Sequence, residues 1–214
     1  MRYALIPFMV LVAPLLASAE TAGKEPHMTA ISPVFHELVA FTLPAEFKSQ
    51  NPSYERTNGP FYIRENVPAG ETVDRWTQMI TLTGTKDLAS NQNATPRAFL
   101  SSLTSHFGRH CPDTFATTEL GEQAIGEHPA FAVIASCGHV QSGAEAFSET
   151  AIMLVIKGSA DYYSIQWARR GPSSIRALPL DSGYWNKQLD RLRPIRVCPI
   201  VPGEAAPYPS CVEH

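Results

Sequence analysis

The stretch "ETAIMLVIKGSADYYSIQWARR", residues 149–170, constrains the fold more than any other part of the chain. Two runs rich in β-branched and aromatic residues flank a "GSAD" turn, which is the pattern of a β-hairpin. The first arm is apolar without interruption from Ala151 to Ile156. A strand with apolar side chains pointing both ways needs cover on both faces, so this hairpin belongs in the middle of a sheet.

Other elements follow from period and punctuation. "VFHELVAFTLPAEF" predicts a short strand that turns near Pro44, and "FYIREN" predicts another, after the loop-like "QNPSYERTNGP". In "RWTQMITLTGT" the alternation puts Trp76, Gln78, Ile80 and Leu82 on one face. "NATPRAFLSSLTSHFGRHC" predicts a helix with Thr95 as N-cap and Pro96 at its first position, where the missing N–H costs nothing. Phe99, Leu100, Leu103 and Phe107 mark its buried face. "TFATTELGEQAIGEHPAFAVIASCG" predicts a hairpin turning at "GEHP". "DSGYWNKQLDRLRP" predicts a closing helix with Trp185, Leu189 and Leu192 on one stripe, stopped by Pro194.

This order is strands, helix, strands, helix. It predicts an α+β domain: an antiparallel sheet of about six strands with helices packed on it. The order, with "FTLPAEF", "TPRAFLSSLTSHF" and "IGEHPAFAV" as its markers, resembles the PsbP-like fold over roughly residues 35–195. That superfamily includes the extrinsic PsbP protein of photosystem II and periplasmic DcrB-type proteins. The resemblance implies a non-enzymatic accessory or binding role and transfers no functional residue.

The N-terminus predicts a chain outside the cytoplasm. Arg2, an apolar run to about Leu16 and Ala17-Ser18-Ala19 together predict a secretory signal peptide over residues 1–19. The apolar run is shorter than the roughly 20 residues a membrane span needs, and no later stretch reaches that length. Residues 20–33 read as a flexible lead-in, 34–197 as one domain, and 198–214 as a proline-rich tail. The expected location is periplasmic or secreted, with no membrane span after signal cleavage. Seventeen Lys and Arg oppose 20 Asp and Glu, and the charges are scattered, which argues against a nucleic-acid partner.

Four cysteines in an exported chain read first as two disulfides. Proximity and the strand pattern favour Cys111 with Cys137, and Cys198 with Cys211, the latter clipping the tail. One competing reading remains. "SHFGRHC" spaces His106 and His110 four apart, and "SCGHV" puts Cys137 and His139 on one strand face, so a metal site using His106, His110 and His139 is the alternative. The helix lacks the Glu of a zinc-hydrolase motif, and a disulfide competes for the thiols. There is no Gly-x-Ser-x-Gly elbow and no phosphate loop.

No catalytic residue and no cofactor are therefore expected. The aromatic candidates for a partner surface are Tyr54, Phe61 and Tyr62, in or beside the longest loop, and Tyr162, Tyr163 and Tyr184, near element ends, each with core packing or loop pinning as the commoner fate. The expectation is an exported, non-catalytic binding or accessory protein of the bacterial cell envelope, an envelope factor or an inhibitor or immunity protein, with a protein partner.

Overall fold

The computed structural model describes residues 28–47 and 51–212. The predicted signal segment and the first part of the lead-in lie outside the described residues. Among the described residues ten strands follow one another as β1 (Met28–Val34), β2 (Glu37–Leu43), β3 (Tyr54–Asn58), β4 (Phe61–Asn66), β5 (Gln78–Thr85), β6 (Phe115–Ile125), β7 (His128–Ser142), β8 (Glu145–Lys157), β9 (Tyr162–Pro172) and β10 (Arg196–Pro199). Three helices join them: α1 (Pro96–Gly108), α2 (Ser182–Arg191) and α3 (Pro209–Val212).

The strands form two antiparallel sheets. Seven run in the order β3-β4-β5-β9-β8-β7-β6, and three in the order β1-β2-β10. The hairpin read from "AIMLVI" is β8–β9, and it lies inside the large sheet as its pattern requires. On one face Ile152, Leu154 and Ile156 pack with Phe41 and Val39 of the small sheet and with Trp185, Leu189 and Leu192 of α2 and its end. On the other face Ala151, Met153 and Val155 pack with Leu100 of α1.

The α+β class expected from the sequence is overturned. Strands dominate, and the longest helix has 13 residues. The error has a physical source. Strand β3 is exposed at all five positions, so it has no apolar alternation and reads as loop. Strand β1 begins inside the supposed lead-in, and β10 is held between prolines by its pairing to β2. Hydrogen-bonded partners, not side-chain pattern, make these segments strands.

Local chemistry is otherwise as read. Thr95 Oγ1 accepts from the Ala98 amide at 3.1 Å and caps α1, with Pro96 at its first position. Asp181 caps α2 through the Tyr184 amide at 2.9 Å. The β6–β7 turn is made at Gly126, and a β7–β8 turn absent from the sequence reading at Gly143, both with φ near +60° where a Cβ would strain the backbone. Trp76 differs from expectation: it precedes β5 and packs with Met79, on the face opposite Ile80 and Leu82. The strict alternation does not extend back into the loop.

Candidate functional site

The cysteines are bonded as two pairs, Cys111–Cys137 and Cys198–Cys211, with Cα separations of 5.6 and 5.7 Å, and none is free. No thiolate is left to ligate a metal. The histidines beside the first bridge find ordinary partners. His110 Nδ1 bonds the His106 carbonyl at 3.1 Å, and the His106 ring contacts the Arg109 guanidinium. His139 Nδ1 lies 2.7 Å from Ser173 Oγ. Among the described residues His106, His110 and His139 form no three-ligand group. Helix α1 ends at Gly108, so the four-residue spacing straddles a helix end.

A different trio, His36, Asp87 and Asp161, does bring its ligand atoms within 4.8 Å of one another. Asp161 is fully buried, and its oxygens are already occupied. Oδ1 accepts from the Asp87 amide at 2.8 Å, and Oδ2 from the His36 amide at 3.0 Å and the Tyr163 hydroxyl at 3.1 Å. The His36 ring lies 3.1 Å from both oxygens. Burial pushes this carboxyl up, and the hydrogen bonds from the Asp87 and His36 amides, the His36 ring and Tyr163 outweigh it, holding Asp161 below the usual carboxylate range. Tyr163 also donates to Glu37 at 2.9 Å, and burial followed by these two carboxylates drives its hydroxyl far up. The group ties the β1–β2 turn to the β8–β9 turn and the end of β5. It is a clasp between the sheets, and the sequence, which separates His36 from Asp161 by 125 positions, carries no sign of it.

The most open chemistry lies where β8 and β9 leave the core. Alternation sends the adjacent Arg169 and Arg170 to opposite faces of the sheet. Arg170 is held between the rings of Trp76 and Phe147, its guanidinium carbon 3.8 and 3.9 Å from their centroids. Its Nε sits 3.6 Å from Glu149 Oε2 without a hydrogen-bond partner. Burial raises the Glu149 carboxyl, and Arg170 offsets part of that rise. A cleft of about 540 Å³ opens beside this stack, walled by the loop from Gly70 to Thr77. The two rings clamp the guanidinium from either side, which braces β8 and β9 against the loop before β5.

On the opposite face a second cleft, about 520 Å³, lies between α2 and the sheet. Ser148, Thr150, Arg169 and Gly171 form its floor, and Leu178, Pro179, Tyr184 and Trp185 its wall. Arg169 Nη1 donates to the Tyr184 hydroxyl at 3.2 Å, which aims the guanidinium along the cleft. Thr150 shares a 2.7 Å hydrogen bond with Ser136. Ser148 stands apart. It is 4% exposed, it pairs across the strands with Gly171, and its hydroxyl, with no hydrogen-bond partner among the described residues, reaches the open cleft. Its Oγ lies 3.1 Å from where a Cβ on Gly171 would stand, so the glycine keeps the floor open above it.

Of the aromatics singled out from sequence, Tyr62, Tyr162 and Tyr163 are buried, and Tyr54 and Phe61 are exposed on the β3–β4 hairpin. Tyr184 lines the cleft. Asp181, the N-cap of α2, lies at the same wall. Ser148, Arg169 and Gly171 carried no signal, because their meeting depends on cross-strand register. No protein-family model matches this sequence, and no curated protein matches it.

Proposed function

We propose that this chain is an exported, non-catalytic binding protein of the cell envelope, and that its ligand seats in the cleft between α2 and the β8–β9 end of the sheet. The observation that carries the reading is the cleft itself: an arginine held by Tyr184 and a Ser148 hydroxyl facing the open space, over a floor that Gly171 keeps clear. A cleft of this size, with apolar walls and few polar groups, is the usual form of a small-ligand site. Both disulfides suit an oxidising compartment, and no helix among the described residues is long and apolar enough to cross a membrane.

Two measurements test this reading. Intact mass of the exported protein should correspond to a chain beginning at Glu20. A fragment screen followed by amide chemical shifts should find ligands that move Ser148, Gly171 and Tyr184. Gly171→Trp, which fills the floor, should remove those shifts while the fold persists. A screen in which no fragment perturbs these amides would overturn the binding site.

A further inference from the structure

We infer that the cleft between α2 and the sheet takes a small apolar monocarboxylate, its acid end on Arg169 and Ser148 and its body along Leu178 and Pro179. The inference rests on the binding reading above and names its ligand class. Arg169 and Ser148 are the polar groups left with capacity at the floor. The guanidinium spends one N–H on Tyr184 and keeps its remaining donors, in the planar fork that matches a carboxylate. The Ser148 hydroxyl lines the cleft and has a proton to donate into it. A ligand carboxylate accepts from both.

The charge balance points to a monoanion. Arg169 supplies one positive charge on this face, since Arg170 is turned to the other and held between Trp76 and Phe147. Asp181 stands at the wall with one oxygen engaged as the α2 cap, and its negative charge opposes a second anionic group on the ligand. The lining exposes more carbon than polar surface, so the rest of the molecule is apolar.

The test uses the full exported chain and a defined set of probes: butanoate, octanoate and phenylbutyrate, each with its neutral amide and its amine. Amide chemical shifts report where each binds and how tightly. The acids should move Ser148, Gly171 and Tyr184, with the matched amides and amines weaker by roughly tenfold or more. Arg169→Gln, at an exposed position, should leave the fold intact and erase the preference for acid over amide. Ser148→Ala should weaken the acids severalfold. Acid and amide binding the cleft equally would overturn the carboxylate assignment and leave the binding site standing. No probe of any class reaching the cleft would overturn both. Acid binding that survives Gly171→Trp unchanged would locate it elsewhere and also overturn the inference.

Discussion

Replacing Asp161 by Asn tests whether the clasp holds the small sheet on the large one. The carboxylate accepts from two backbone amides, one on each oxygen, and from Tyr163 and the His36 ring. Asn keeps the shape but turns one oxygen into a donor. Either orientation then opposes an NH₂ to a backbone N–H, of His36 or of Asp87, at a site with no solvent access. Losing the charge weakens hydrogen bonds worth about 1.5–3 kcal/mol each, and one amide left without an acceptor adds about 1–3 kcal/mol. These terms overlap, and the expected loss is about 3–4 kcal/mol at neutral pH, at the upper end for single substitutions. The pH dependence carries a sign of its own. Hydrogen bonds lower the folded-state pKa of Asp161 below its unfolded value, so the unfolded chain binds the proton first. Its contribution is present above the unfolded aspartate pKa of about 3.9 and is lost as pH falls through the folded value. Urea unfolding across that range should show a steeper acid loss in the native chain than in Asp161→Asn. A variant within about 0.5 kcal/mol of the native chain, or one with the same slope in acid, would refute the clasp.

Two further outcomes follow from packing and covalent ties. Leu189 is buried between Trp185 and Leu192 on the α2 stripe, so Leu189→Ala should cost about 2–5 kcal/mol in urea unfolding, whereas the exposed Lys187→Ala should stay within about 0.5 kcal/mol. Among the disulfides, Cys111–Cys137 spans 26 positions and anchors the end of α1 to fully buried Cys137, against 13 positions for Cys198–Cys211. Replacing the first pair with serine should cost about 2–5 kcal/mol, and more than replacing the second; equal melting temperatures would contradict that ranking. The second bridge does more than restrain a tail, because Cys211 packs with Leu38 and Ala40 of β2. Its loss should expose residues 198–212 to protease and also loosen β10.

What the sequence determined by itself is whatever neighbours within a few positions decide. Thr95 and Pro96 start α1 because capping is a contact across three residues, and Trp185, Leu189 and Leu192 share a face because a helix turns every 3.6 residues. The "AIMLVI" run demanded a covered central strand, and cysteine spacing pointed to both bridges. Pairing partners were decided only in the tertiary structure. Strands β1, β3 and β10 are strands because β2 and β4 bond to them, and with them the fold class moved from α+β to a mostly β protein. The clasp joins residues 125 positions apart, and the cleft floor exists because β8 and β9 pair in a register that sets Ser148 opposite Gly171. A shift of one residue in that register would turn Arg169 and Ser148 to opposite faces, and no local pattern in either strand specifies the match.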